Sequence, residues 1–265
     1  MVREFESNGY WAIILGGSSG LGLAAALKLA SHGMNICIVH RNSRAELIEV
    51  ERSFNLVKEK QVELLTFNAD VIKEETRQTV QKALSDKLGD QAKVRCLVHS
   101  IAKGNLKAMV DPENAVLESD DFLLTLQNMA ISLSDWTKCL FEAKLFADDA
   151  RIISFTSEGS SKAWKHYAAV SAAKAALEAI TRNIALEYAP FGIRANCIQA
   201  GVTDTASLRR IPGSEQLIQH SINRNPFKQL TKPQQVADVV YLLCKDEAAW
   251  INGNVIPVDG GEHIN

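Results

Sequence analysis

The sequence predicts an α/β protein: one domain built on a Rossmann-type, doubly wound parallel sheet of about seven strands, with helices on both faces. Three observations predict it. Short apolar runs alternate with longer segments of helical periodicity along all 265 residues. The first apolar run passes into a glycine cluster that opens an Ala/Leu-rich helical segment. A hydrophobic content of 46% over this length suffices for one large core, and no linker, repeat or low-complexity tract marks off a second.

In chain order, strands are expected at Trp11 to Leu15, Asn35 to Val39, Val62 to Phe67, Arg95 to His99, Arg151 to Phe155, Arg194 to Ile198 and Asn254 to Val258. Helices are expected between them at Leu21 to Ser31, Arg44 to Glu59, Glu74 to Leu88, Asp120 to Phe146, Trp164 to Tyr188 and Pro233 to Lys245, the last signalled by Thr231 ahead of Pro233. Right-handed crossovers place the strand C-termini, and so the ligand, along one edge. The least regular stretch, Gly201 to Leu230, mixes Gly, Pro and Asn with short apolar patches after a strand end. It predicts a flexible lid over about 203–230, with Leu208, Ile211, Leu217 and Ile218 supplying apolar contacts. The chain, 1–265, reads as a cofactor half over about 8–150 and a substrate half over about 151–265.

A formal net charge of −2 leaves no basic excess for nucleic acid or an anionic membrane, so the expected partner is a small molecule or a carrier presenting one. Five cysteines lack CxxC spacing, and four lie in apolar runs, which reads as reduced core thiols rather than disulfides or metal ligands. No apolar run is long enough for a membrane span, and the N-terminus lacks the pattern of a secretory signal, so a soluble, cytoplasmic protein is expected.

After the first strand comes Gly16-Gly17-Ser18-Ser19-Gly20-Leu21-Gly22. Glycines there let the backbone turn tightly and approach a pyrophosphate, whose charge meets a helix N-terminus. The second strand ends in Val39-His40-Arg41-Asn42-Ser43-Arg44, with no carboxylate before Glu46. An acidic side chain at that point would accept from a ribose 2′-OH, whereas arginine accommodates a 2′-phosphate, so NADPH is expected over NADH unless Arg41 and Arg44 are only solvated loop cations. Asp70, in Asn68-Ala69-Asp70-Val71, reads either as an acceptor from an adenine amino group or as a helix N-cap.

Together with SFTS at 154–157, Tyr167 and Lys174, IRANCIQAG at 193–201 and NGNVIPVDGG at 252–261, these residues resemble the short-chain dehydrogenase/reductase family over essentially the whole chain. The resemblance implies cofactor contacts at Gly16, Ser18, Ser19, Gly20, Leu21, Arg41, Asn42, Asp70, Val71, Ser100, Ile101, Ala102 and Lys174. Thr203 and Thr205 would face the carboxamide and phosphates, in a segment where Ala200 replaces the family's proline. It implies a catalytic set of Tyr167, Lys174 and Ser157, and a homotetramer joined through the two long helices.

Three departures from ketone-reducing members stand out. Their Tyr-x3-Lys pattern would need tyrosine at position 170, which is Val170; their strand-four NNAG is His99-Ser100-Ile101-Ala102; and Ile131 to Trp136 occupies the place of their asparagine. All three resemble the divergent branch, the enoyl-acyl-carrier-protein reductases, and within it the sequence is most similar to the NADPH-using subgroup with an ordinary glycine loop. The implied reaction is hydride transfer from NADPH to the 2,3-double bond of an enoyl thioester on acyl carrier protein or coenzyme A, in fatty acid or related acyl-chain synthesis. Ser157 stands where the best-known branch members carry a second tyrosine and where ketone reducers carry serine.

If Tyr167 and Lys174 share a helix, a spacing of seven keeps both on one face and moves the phenol about 4.5 Å along the axis relative to a spacing of four. For a ketone the hydride and the proton go to adjacent atoms. In an enoyl thioester the charge appears on an oxygen further along the conjugated chain, which a displaced phenol would meet. Two alternatives stay open: a carbonyl or hydroxysteroid-type reductase using Ser157 and Tyr167 in shifted geometry, and a non-catalytic nucleotide-binding protein.

Overall fold

The apolar runs form strands buried on both faces, as a parallel sheet covered by helices on each side requires. The computed structural model describes residues 2–89, 93–209, 211 and 213–265. Its strands are β1 (Trp11–Leu15), β2 (Asn35–His40), β3 (Leu64–Asn68), β4 (Val94–His99), β5 (Phe146–Thr156), β6 (Ile193–Ala200) and β7 (Val255–Val258). They make one sheet in the order β3-β2-β1-β4-β5-β6-β7, with every neighbouring pair parallel. The order reverses between β1 and β4, and the crevice above their C-terminal ends is where such sheets bind ligands.

The helices are α1 (Gly20–Ser31), α2 (Leu47–Lys58), α3 (Glu74–Leu88), α4 (Ser119–Leu126), α5 (Ser132–Glu142), α6 (Ala168–Glu187), α7 (Ala206–Arg209), α8 (Ser214–Arg224) and α9 (Pro233–Cys244). Alternate β1 residues serve opposite layers. Ala12 and Ile14 pack with Leu29 of α1, Phe54 of α2 and Val240 of α9, while Trp11, Ile13 and Leu15 pack with Leu84 of α3, Trp136 of α5 and Leu177 of α6. Each fully buried large aliphatic side chain contributes about 2 kcal/mol, so these two layers dominate stability. No helix among the described residues is long and apolar enough to cross a membrane.

Several boundaries differ from expectation. The segment expected as one helix from Asp120 to Phe146 is α4, a π-helical turn at Gln127–Ile131, and α5. It ends at Glu142, because Lys144 adopts φ +54° and turns the chain into β5, which already begins at Phe146. β3 starts at Leu64 rather than Val62, after a left-handed turn at Gln61 (φ +58°). The stretch read as irregular, Gly201 to Leu230, contains α7 and α8. Finally, α6 starts at Ala168, so Tyr167 is its N-cap residue rather than part of a helix running from Trp164.

Candidate active site

The glycine loop follows β1 at the switch point. Gly16 has φ +85°, and a Cβ there would collide with the Ser100 carbonyl oxygen; a Cβ on Gly22 would collide with the Gly16 carbonyl. Only glycine fits this close approach, which leaves backbone where a pyrophosphate would lie. Ser19 is the N-cap of α1 but makes no side-chain cap hydrogen bond, so the helix's first amides lack a capping side chain and suit an anion. Thr205 lies over Gly20, with its methyl 3.6 Å from where a Gly20 Cβ would be. Ser18 and Leu21 complete the loop, both half-buried.

At the far end, the exposed Arg41 donates to Asp70 Oδ2 at 2.5 Å. Asn42 and Asn68 are cross-tied, the Asn42 amide donating to Asn68 Oδ1 at 2.9 Å and Asn68 Nδ2 to the Asn42 carbonyl at 3.1 Å. His40, beneath them, bonds Asn42 Oδ1 at 2.8 Å, and burial lowers its pKa. Asp70 is not a helix N-cap, since α3 begins at Glu74 with Lys73 as its cap; instead Asp70 Oδ1 accepts from the Ile72 amide at 3.3 Å in a local turn. Val71 is buried and its carbonyl accepts from Trp136 Nε1 at 2.9 Å. The Ser100 amide donates to the Leu15 carbonyl at 2.8 Å, Ile101 packs against the core, and Ala102 is exposed. Thr203 is buried, with its hydroxyl turned to the Gly201 carbonyl at 2.8 Å, and pairs with Thr231 as an isolated bridge.

Ser157 and Tyr167 meet just beyond β5, and Lys174 reaches the β5 backbone at Phe155. His166 adopts φ +61°, and Tyr167 has the non-helical pair φ −115°, ψ 1°, so the phenol's direction is set by this turn rather than by helical periodicity. The ring rests against Gly159, where a Cβ would come within 2.5 Å of it, and against Trp164 with ring centroids 5.1 Å apart. Ser157 Oγ lies 3.3 Å from the Tyr167 hydroxyl. Burial raises the Tyr167 pKa, opposed by that hydrogen bond. Lys174 is buried and donates to the Phe155 carbonyl at 2.6 Å; burial lowers its pKa to about 8, against the pull of Cys197 and Glu178.

Tyr167 also belongs to a separate apolar cluster with Met129, Val170 and Ala173, edged by Leu106, Leu126, Trp164 and Ile211. This cluster packs around the phenol ring. Of the four lid residues expected to supply apolar contacts, Ile211 reaches this cluster; Leu208 is buried outside it, and Leu217 and Ile218 are half-buried. Leu106, Leu126, Met129 and Trp164 are additions that sequence reasoning missed. Trp164, three residues before Tyr167, was the only one carrying a usable signal.

His99 and Ser132, from the two divergent segments, meet at 2.8 Å through His99 Nε2. Ser132 Oγ donates to the Asn128 carbonyl at 2.7 Å within the π-helical turn, so Nε2 carries the imidazole proton and Nδ1 is a bare acceptor. Burial, reinforced by the neighbouring Lys174 charge, lowers the His99 pKa to about 3. The imidazole is therefore neutral at any physiological pH.

Residues 16–263 match the family described as enoyl-(acyl carrier protein) reductase. The chain is 29% identical to 1-cyclohexenylcarbonyl-CoA reductase of Streptomyces collinus, covering 96% of this chain and 86% of that one. It is 30% identical to the enoyl-[acyl-carrier-protein] reductase [NADH] of Aquifex aeolicus over 76% of this chain and 72% of the relative. The crystal structure of enoyl-[acyl-carrier-protein] reductase (NADH) from Aquifex aeolicus VF5 superposes with a TM-score of 0.83 at 26% identity, covering 97% of both chains.

Proposed function

The chain belongs to the short-chain dehydrogenase/reductase family, in the group described as enoyl-(acyl carrier protein) reductase, and on that premise we propose that it reduces the 2,3-double bond of an enoyl thioester with NADPH. The observation that carries this reading is the placement of Tyr167. It is buried in an apolar cluster seven residues before the buried Lys174, and Val170 fills the position from which a ketone-reducing tyrosine would act.

When bound, the reduced nicotinamide supplies the hydride that adds to the β-carbon. The chain's own contribution is to meet the charge this produces on the thioester oxygen. Tyr167, a phenol whose pKa burial raises further from its ordinary alkaline value, donates a hydrogen bond to that oxygen, and the interaction strengthens as the enolate develops. Ser157 orients the phenol. Lys174, which donates to the Phe155 carbonyl, would hold the nicotinamide ribose hydroxyls and, as a cation, favour negative charge nearby. The glycine loop and the open N-terminus of α1 fit the pyrophosphate, because nothing larger than hydrogen fits at Gly16 and Gly22.

NADPH rather than NADH rests on the end of β2. Arg41 is exposed and bonded to Asp70, and no carboxylate precedes it on the strand. The Aquifex enzyme is named an NADH enzyme both as a sequence relative and as a solved structure, so this preference is argued from this chain's own residues. The same reading assigns the protein to cytoplasmic fatty acid or related acyl-chain synthesis, with acyl carrier protein as the substrate's carrier. Exposed apolar side chains on α4 and the π-helical turn, Leu123, Leu124 and Ile131, suit the helix pairing of a homotetramer.

A second reading is favoured by one contact. The Ser157–Tyr167 hydrogen bond also suits protonation of a carbonyl, as in a 3-oxoacyl or hydroxysteroid reductase. Following NADPH oxidation with a 2-enoyl thioester and with the matching 3-oxoacyl thioester separates the two. Turnover confined to the 3-oxoacyl thioester would replace the first reading with the second.

A further inference from the structure

Glu158, next to Ser157, lies in no expected site, yet it is the most heavily bonded side chain beside the phenol. Arg224, the last residue of α8, grips its carboxylate with a fork, Nη1 to Oε2 at 2.9 Å and Nη2 to Oε1 at 2.8 Å. Lys162 adds a third bond to Oε1 at 2.5 Å. The pair is largely shielded from solvent, with side-chain exposures of 16% and 12%. The remaining guanidinium bonds reach the chain's end: Nη2 also donates to the Glu262 carbonyl at 2.9 Å and Nε to the Asn265 carbonyl at 2.9 Å. Asn265 Nδ2 returns a bond to the Arg224 carbonyl at 2.8 Å. Neighbouring Asn225 donates to the Asp259 carbonyl at 2.8 Å. One guanidinium therefore joins α8, the C-terminal turn and the loop after β5.

On its other side that loop touches the phenol directly. Gly159 packs against the Tyr167 ring so closely that a methyl group would not fit, and its carbonyl accepts from Ser171 Oγ at 2.5 Å. A shift of Glu158 therefore displaces Ser157 and Gly159 against Tyr167. At the opposite end of the same segment, Ile211 lies in the apolar cluster around that ring, and Gly213 (φ +76°) opens α8 with free space around its α-carbon. We propose that Glu158 and Arg224 are positioning residues that latch α8 onto the Ser157–Gly159 loop, so that the segment covering the acyl chain and the alignment of the phenol are set together. The proposal rests on the enoyl thioester reading only for the identity of the chain being covered.

A bidentate charge-assisted pair is both stronger and more directional than a single bond, and removing its fork while retaining shape should loosen α8 locally. The test uses Glu158→Gln, with Arg224→Lys as a second variant that keeps the cation but loses the fork. In the NADPH-bound protein, hydrogen exchange at 214–224 should quicken about tenfold in both, with α6 unchanged. With a 2-enoyl thioester, KM should rise about tenfold, and more for longer acyl chains, while the NADPH Kd stays within about twofold. Unchanged exchange at 214–224 in both variants would overturn the latch. So would loosening spread equally over α6 and α8, which would mean a general loss of stability. If the wild-type protein turns over no enoyl thioester, the proposed function fails, and the exchange measurement still decides the latch by itself.

Discussion

The Ser157 hydroxyl lies 3.3 Å from the Tyr167 phenol, at the N-terminal end of a helix whose seventh residue, Lys174, points its ammonium at the β5 backbone. These groups share one corner of the fold, but the chemistry proposed for them is unequal, and that inequality can be measured.

Tyr167→Phe removes the donor to the developing enolate and should lower kcat for a 2-enoyl thioester by at least about a hundredfold. Ser157→Ala removes only the phenol's orienting partner and should cost about tenfold or less. Steady-state NADPH oxidation by the two variants checks the ranking. Equal, large losses would point instead to a carbonyl reducer in which serine touches the substrate.

Lys174, with its pKa brought down to about 8 by burial, should give a kcat/KM that falls as pH rises through about 8, because the cation is lost. Lys174→Arg should move that limb out of reach. The sign for stability is opposite. The folded chain binds this proton less tightly than the unfolded chain, whose lysine titrates near 10.5, so stability rises between about pH 8 and 10.5. Lys174→Met should therefore stabilise the protein by up to about 3 kcal/mol at pH 7, with the gain fading at high pH. Urea unfolding of both proteins across this range measures it.

Arg41→Ala should weaken NADPH by about tenfold and NADH by less than about twofold, which narrows the preference. It also releases Asp70 from its partner. Kinetic comparison of the two cofactors decides the point, and an equal loss with both would remove the 2′-phosphate role from Arg41.

Gly16→Ala places a methyl against the Ser100 carbonyl at a residue with φ +85° and should abolish measurable NADPH binding in a fluorescence titration. Gly9→Ala is the control. Gly9 also has positive φ, at +64°, but open space around it, so it incurs backbone strain of about 1–2 kcal/mol without the clash. If both variants bind NADPH like the wild type, the loop after β1 is not the cradle.

The elements legible in the sequence were those whose signal is local. Apolar runs such as WAIIL and NICIV could only be strands of a sheet covered on both faces, and the glycines after β1 marked the turn into α1. The boundaries that moved did so through single backbone angles that side-chain periodicity does not report: Lys144 at φ +54° ended a helix early, and Gln61 at φ +58° delayed a strand. The two short helices between Gly201 and Leu230 were hidden by the Gly and Pro residues that flank them.

By itself, the sequence determined the fold class, because apolar runs and helical periods alternate locally along the chain; the glycine loop, Tyr167 and Lys174 stood out as candidates through the family resemblance. Tertiary structure decided how they are used. Tyr167 is the capping residue of α6, its ring packed on Gly159 after a left-handed turn at His166, a placement that the spacing of seven does not specify. Leu106, Met129 and Ile211 come together only because two loops and a π-helical turn converge on one ring, and the Arg224–Glu158 fork joins residues 66 positions apart. Contacts of that separation leave no periodic trace in sequence, since only the packed chain brings their partners within reach.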